Sequence, residues 1–152
     1  GMTQPVFSHM LGQHKSDIIR LYAETYPGKD VKKAELCADL IDVPTIVGLS
    51  GYVGCKLAGF ILAQQVCPSS DIIELIVAPS FRRIGIAAGL LDALVALSQS
   101  RNISELFLEV AEDNEAAQAL YLTCGFQNVG KRNRYYQRDG HSLDAIIMKK
   151  RL

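Results

Sequence analysis

Cysteine and histidine are scarce in this sequence, and they are not grouped as a metal site or a disulfide framework requires. The four cysteines lie far apart and form no Cys-x-x-Cys pair; they are Cys37, Cys55, Cys67 and Cys124. The three histidines have no acidic or cysteine neighbours at ligand spacing; they are His9, His14 and His141. We therefore expect neither a bound metal ion nor a disulfide scaffold.

Net charge and long apolar segments are also lacking. The chain has 16 basic and 16 acidic residues, so its formal net charge is zero and nothing draws it as a whole to nucleic acid or membrane. Apolar runs such as residues 84–97 are too short to span a bilayer, and a basic-then-apolar signal is missing at the start. We expect a cytoplasmic protein that binds neither nucleic acid nor membrane. We also expect a single domain over residues 2–152, with Gly1 a tag remnant.

The hydrophobic periodicity predicts a mixed α/β fold. Helices are predicted from the cap residue Ser16 to about residue 28, and over residues 31–41, 84–97 and 115–123. Strands are predicted over residues 6–10, 45–53, 57–66, 71–77, 105–110, 126–131 and 143–149. The loop between the last two strands carries a group of cationic and aromatic side chains: Arg132, Arg134, Tyr135, Tyr136 and Arg138.

Small residues crowd the start of the third predicted helix, directly after a strand and two arginines. The first amides of a helix lack internal partners and the helix dipole is positive there, so a phosphate can bind if no side chain intervenes. Gly85 and Ala87 leave that approach open, and Arg82 and Arg83 add positive charge. The Walker and dinucleotide-binding glycine motifs are absent. The loop alone is also compatible with a solvated helix start that packs closely on the sheet.

The pattern Arg82-x-x-Gly85-x-Ala87 resembles the coenzyme A signature of the GNAT superfamily of N-acetyltransferases. At the last position of the pattern, this sequence has Ala87 rather than glycine. A second stretch, Leu108-Glu109-Val110 with Asn114, Tyr121 and Gly125-Phe126, is similar to the next strand and helix of that family. Within the family, the chain looks most like the bacterial branch that acetylates the N-terminal alanine of a small-subunit ribosomal protein. The resemblance implies a mostly antiparallel sheet of six to seven strands with about four helices.

The same resemblance implies acetyl-CoA as cosubstrate and a set of site residues. The backbone of Leu75, Ile76 and Val77 would pair with the pantetheine arm. The pyrophosphate would lie on the loop formed by Arg82, Arg83, Ile84, Gly85, Ile86, Ala87 and Ala88, with Asn114 reaching the cofactor from the next helix. Tyr121 would protonate the leaving thiolate, and Glu109, twelve residues earlier, would take the proton of the attacking amine.

Several alternatives remain open at this point. Asp71 and Glu74 compete with Glu109 as base, and their spacing of three predicts that they face opposite sides of a strand. Tyr135 and Tyr136 fit either an acceptor-binding lip or a solvated hairpin. Cys124 is assigned no catalytic role. The acceptor is a protein N-terminus or a small amine such as a polyamine, amino acid or aminoglycoside. A non-catalytic coenzyme A-binding module and a homodimer also remain open.

Overall fold

A computed structural model describes residues 3–10, 14–28 and 31–152 of the chain. The expected tag remnant, Gly1, lies outside these residues. They contain seven strands and four α-helices, in the order β1 Val6–His9, α1 Lys15–Thr25, α2 Val31–Asp39, β2 Ile46–Val53, β3 Lys56–Val66, β4 Ser69–Val77, α3 Ile86–Ser100, β5 Glu105–Ala111, α4 Glu115–Thr123, β6 Gln127–Arg138 and β7 His141–Arg151. Short 3-10 turns follow α2 and β4, at Leu40–Asp42 and Pro79–Phe81.

The strands form one sheet in the order β1-β2-β3-β4-β5-β7-β6. Every neighbouring pair is antiparallel except β4 and β5, which run parallel because α3 crosses over between them. The expected fold class, a mixed and mostly antiparallel sheet of six to seven strands with about four helices, is confirmed. No helix in the described residues is both long and apolar enough to cross a membrane.

Helices cover both faces of the sheet, and each face has its own apolar core. Helices α1 and α2 pack on one face, here called the α1 face, where Ile18 and Leu21 meet Phe60 and Leu62. Helix α3 packs on the opposite α3 face, where Leu90, Leu91 and Leu94 meet the other side of the sheet. Strand β3 is covered on both sides, which explains why its sequence is continuously apolar rather than alternating.

Strands β4 and β5 pair over a short distance and then separate. Their ladder joins only Ser69, Ser70 and Asp71 to Glu105, Leu106 and Phe107, although both strands continue beyond these residues. The β5 side of β4 therefore has unpaired backbone groups from residue 72 onward, and a wedge-shaped gap opens in the middle of the sheet. Unpaired N–H and C=O groups of this kind are ready to bond an extended partner.

A β-bulge at Ile73 changes which way the β4 side chains face. Ala63 of β3 pairs with Ile72, and Leu62 pairs with Glu74, so Ile73 is the extra residue. Asp71 lies opposite Gln64, which shares a face with Leu62, and so Asp71 and Glu74 point to the same α1 face. The sequence-based prediction that they face opposite sides is wrong, because that argument assumed a regular strand.

The last hairpin is longer than the sequence pattern predicts. Strand β6 extends to Arg138 and β7 begins at His141, so the segment predicted as a loop lies largely in β6. Its charged and aromatic residues gave a pattern that predicted a polar loop. In the structure, cross-strand pairs such as Tyr136 with Leu143 continue the ladder. Only the turn at Asp139 and Gly140 remains outside the strands.

Two helix starts also differ from the predictions. Helix α1 begins at Lys15 with His14, not Ser16, in the cap position. Helix α3 begins at Ile86 rather than at residue 84, because Arg83 and Gly85 have φ angles of 65° and 86°, outside the helical region. The two residues predicted to start this helix therefore belong to the preceding loop.

Candidate active site

The start of α3 has the geometry of an anion site. Gly85 occupies the cap position in the left-handed region, where glycine has no steric penalty, and no side chain caps the exposed amides. A Cβ built on Gly85 would meet nothing within 4 Å, so the approach to these amides is open. The positive end of the helix dipole and the two neighbouring arginines favour a phosphate at this position.

A cleft of about 560 Å³ extends from this loop along the end of β4 to helix α4, and we call it the loop cleft. It collects all the predicted cofactor-binding residues except Ile84: Leu75, Ile76, Val77, Arg82, Arg83, Gly85, Ile86, Ala87, Ala88 and Asn114. The side chain of Ile84 is 46% exposed and does not line the cleft. Two arginines and no carboxylate stand among the described lining residues.

Asn114 has a structural role that the sequence motif did not indicate. Its side-chain oxygen accepts a hydrogen bond from the Ala117 amide at 3.1 Å and so caps the N-terminus of α4. At the other end of α4, Lys150 donates to the Cys124 carbonyl at 2.6 Å. Both ends of the helix that carries Tyr121 are thus fixed by side-chain hydrogen bonds.

Tyr121 lies where the loop cleft meets a second cavity. Its ring packs edge-on against Phe126, with centroids 5.8 Å apart. Burial raises the pKa of Tyr121 to about 12, and the nearby charge of Glu74 acts in the same direction. The phenol is therefore fully protonated near neutral pH and is able to donate a proton.

The second cavity, about 600 Å³, is called the tyrosine pocket and opens through the gap between β4 and β5. Four tyrosines line it, namely Tyr22, Tyr26, Tyr121 and Tyr136. Its described lining has three carboxylates, Glu74, Glu109 and Asp139, and neither lysine nor arginine. The described ionisable side chains thus differ between the two cavities, with arginines in the loop cleft and carboxyl groups in the tyrosine pocket, which suits an anionic ligand in one and a cationic ligand in the other.

Tyr22 and Tyr26 were not recognised as site residues from the sequence, because their spacing of four is typical of an ordinary helix face. Their rings are in contact, with centroids 4.9 Å apart. Burial, and then the charge of Glu74, raises the pKa of both phenols. Glu74 is itself partly buried, and desolvation raises its pKa from 4.5 to about 7.

The three carboxylates considered as a base occupy different surroundings. Glu109 lines the tyrosine pocket and forms an ion pair with Arg132, with an N to O distance of 2.9 Å. Glu74 lines the same pocket. Asp71 does not line it but borders a groove of about 740 Å³ beside it, together with Tyr135. Only Glu74 and Glu109, of these three, share a cavity with Tyr121.

Cys124 ends α4 and lines neither the loop cleft nor the tyrosine pocket. Burial raises the pKa of its thiol, which keeps the sulfur protonated and a poor nucleophile. In the described ranges, no group of three or more His, Cys, Asp or Glu side chains is arranged to hold a metal ion.

The chain belongs to the Acetyltransferase (GNAT) family, which it matches over residues 16–126. It is 36% identical to a ribosomal protein bS18-alanine N-acetyltransferase of Escherichia coli K12 over 93 residues, and these aligned residues make up 61% of this chain and 63% of that protein. It is 40% identical to the N-alpha-acetyltransferase RimI of Mycobacterium tuberculosis over 103 residues, and these aligned residues make up 67% of this chain and 59% of that protein. The chain thus spans less than two thirds of the length of these relatives.

Solved structures share the fold over nearly the whole chain. The ribosomal-protein-S18-alanine N-acetyltransferase from Escherichia coli superimposes with a TM-score of 0.86 at 23% identity, covering 97% of this chain and 94% of that one. The spermidine/spermine N-acetyltransferase SpeG from Vibrio cholerae gives a TM-score of 0.79 at 22% identity, covering 97% and 92%. At these identities the likeness establishes the fold.

Proposed function

We propose that this protein transfers the acetyl group of acetyl-CoA to a primary amine, and that the acceptor is a protein N-terminal α-amine. The observation that carries the proposal is the position of Tyr121, between a cleft with two arginines and a pocket with three carboxylates. A thioester bound from the first side and an ammonium group bound from the second would meet at this phenol.

The loop cleft supports a specific placement of the cofactor. The pyrophosphate would accept hydrogen bonds from the first amides of α3, beside Arg82 and Arg83. The pantetheine arm would lie along the unpaired edge of β4 at residues 75–77, completing the ladder that β5 leaves open. This arrangement would direct the thioester toward Tyr121 at the far end of the cleft.

In the proposed reaction, Glu109 removes a proton from the acceptor ammonium, directly or through water, and the free amine attacks the thioester carbonyl. A C–N bond forms, the attacking nitrogen loses its second proton to solvent, the C–S bond breaks, and Tyr121 donates its proton to the departing thiolate. The products are the acetamide and coenzyme A, and the tyrosinate recovers a proton from solvent. Arg132 would hold the Glu109 carboxylate in position through their ion pair.

The choice of an N-terminal α-amine rests on two supports. The two sequence relatives named above are a ribosomal protein bS18-alanine N-acetyltransferase and an N-alpha-acetyltransferase. An unperturbed α-amino group also has a pKa of about 8, compared with about 10.4 for lysine, so its proton is removed more easily at neutral pH. A polyamine is the second candidate, because the three carboxylates that line the tyrosine pocket would also suit a small polycation.

The test is transfer of label from acetyl-CoA to an alanine-starting peptide, compared with a panel of polyamines, amino acids and aminoglycosides. We expect N-terminal acetylation of the peptide as the preferred reaction. The Tyr121→Phe variant should lower kcat about 10²- to 10⁴-fold with nearly unchanged coenzyme A affinity. Tyr52→Phe is the matched control, because that phenol bonds Asp17 and lines neither cavity.

Three results would contradict parts of the proposal. Efficient transfer to a small amine with none to the peptide would reject the N-terminal acceptor. Coenzyme A binding without transfer to any acceptor would favour a non-catalytic module. Equal kcat for wild type and the Tyr121→Phe variant would remove the acid role of Tyr121.

A further inference from the structure

Glu74 is a partly buried carboxylate in the tyrosine pocket that has no cationic partner among the described residues. The ion pairs of the described chain involve other carboxylates, including Glu109, whose charge is compensated by Arg132. A carboxylate removed from water without a partner is costly. Such a group in a cavity is a marker of a functional site.

The bulge at Ile73 gives Glu74 its orientation. It turns the carboxylate to the α1 face, where Tyr22 and Tyr26 of α1 line the same cavity. Tyr121 approaches from α4 across the gap between the strands, close enough for the charge of Glu74 to raise its phenol pKa. Glu74 thus shares one pocket with the two tyrosines of α1 and with the phenol of the proposed reaction.

We propose that Glu74 is the specificity-determining residue of the acceptor site and binds the acceptor's ammonium group against the rings of Tyr22 and Tyr26. This inference rests on the proposed function. In this proposal the two pocket carboxylates have different roles: Glu74 binds the charged amine, and Glu109 receives its proton. The ligand class is a cationic N-terminus, and an acceptor without a positive charge beside Glu74 should not bind in this pocket.

Charge compensation explains why Glu74, and not Glu109, would have this role. An ammonium group beside Glu109 would compete with an existing ion pair at 2.9 Å to Arg132. Beside Glu74 it would supply a missing partner in a partly dehydrated site, where charge pairs interact more strongly than in water. Aromatic faces add a favourable cation–π contribution.

The surroundings of Glu74 also predict how binding depends on pH. The titratable groups that face it are the phenols of Tyr22, Tyr26 and Tyr121 and the thiol of Cys37, and burial raises the pKa of all four, so they stay neutral near pH 7. Tyr136 and the carboxylates of Glu109 and Asp139 line the same pocket. Burial raises the pKa of Glu74 to about 7. Acceptor binding should therefore strengthen as pH rises through 7 and weaken above about 8, where the α-amine loses its charge.

The experiment measures equilibrium binding with coenzyme A present in place of acetyl-CoA, so that no transfer occurs. Two peptides are compared: one begins with alanine, and the other has the same sequence with a propionyl group in place of the alanine, which removes the amine. In Glu74→Gln, we expect binding of the alanine peptide to weaken at least 10-fold and binding of the propionyl peptide to change less than 2-fold. In turnover, the KM for the peptide should rise while kcat changes less than about 3-fold.

Asp71→Asn is the matched control, because Asp71 lies on the same strand and face but outside the tyrosine pocket. It should leave binding of both peptides unchanged. Coenzyme A affinity, measured separately, shows that each variant is folded. Glu74→Asp should recover part of the lost affinity because it restores the charge.

Equal affinity of wild type and Glu74→Gln for the alanine peptide overturns the inference. A fall in kcat with unchanged KM also overturns it, because Glu74 would then act in the chemical step. These outcomes are distinct from failure of the proposed function, which is absence of transfer by the wild-type protein to any N-terminus.

Discussion

Replacing Glu74 by glutamine should make the protein more stable at pH 8, even though it weakens acceptor binding. In the folded protein, burial raises the pKa of Glu74 from 4.5 to about 7. Between these values the folded state binds more protons than the unfolded state, so wild-type stability falls as pH rises. Above pH 7 the carboxylate is charged in both states, and the whole cost of desolvating it remains. Glutamine carries no charge and avoids that cost.

The size of the effect follows from the pKa difference. At about 1.36 kcal/mol for each pH unit, the interval from 4.5 to about 7 corresponds to on the order of 3 kcal/mol at pH 8. At pH 5 most of this difference is absent, and it should be under about 1 kcal/mol. For a chain of this size, the gain at pH 8 corresponds to an increase in Tm of roughly 6–12 °C.

Urea unfolding of wild type and Glu74→Gln at pH 5 and pH 8 measures this directly. Subtracting the wild-type free energy from that of the variant at each pH cancels the other titrating groups. The Asp71→Asn variant is the control for removing a carboxylate from the same strand at an exposed position. If the stability difference for Glu74→Gln is the same at both pH values, Glu74 is not desolvated and the reasoning is refuted.

Three further predictions concern the parts that support the site. Gly59→Ala places a Cβ 2.7 Å from a backbone carbonyl of β4, so it should lower the free energy of unfolding in urea by about 1–3 kcal/mol and weaken coenzyme A binding. In the control Gly130→Ala, the added Cβ meets only a side chain at 3.8 Å, so the free energy of unfolding should change little. Asn114→Ala removes the α4 cap and should cost about 1 kcal/mol in thermal unfolding; an unchanged Tm would rule out the cap. Arg132→Met breaks a partly exposed ion pair, so it should lower the free energy of unfolding by less than about 1 kcal/mol. It should nevertheless lower kcat if that pair orients Glu109, and an unchanged kcat would contradict that role.

Much of the architecture could be predicted from the sequence because local patterns determine it. The glycine and arginine spacing located the loop before α3, and the apolar run of β4 located the strand beside the gap. The prediction that Asn114 and Tyr121 approach that loop depended on family resemblance, since their own chemistry is equally typical of a cap and a core aromatic.

The parts that escaped prediction depend on contacts between distant segments. The bulge at Ile73 is invisible in a run of apolar residues, yet it decides the face of Glu74. The pocket role of Tyr22 and Tyr26 depends on where α1 crosses the sheet, which helical spacing does not determine. The length of β6 depends on pairing with β7, which overrides a polar sequence.

Under the proposed function, the separation of β4 from β5 would also link folding to cofactor binding. Only three residue pairs join the two halves of the sheet at this line, so the protein has a seam through its centre. A cofactor that lies in the seam binds the folded chain and not the unfolded one, and it adds RT ln(1 + [L]/Kd) to stability. At 100 times Kd that is about 2.7 kcal/mol. The stability of this protein would then rise with the concentration of free coenzyme A.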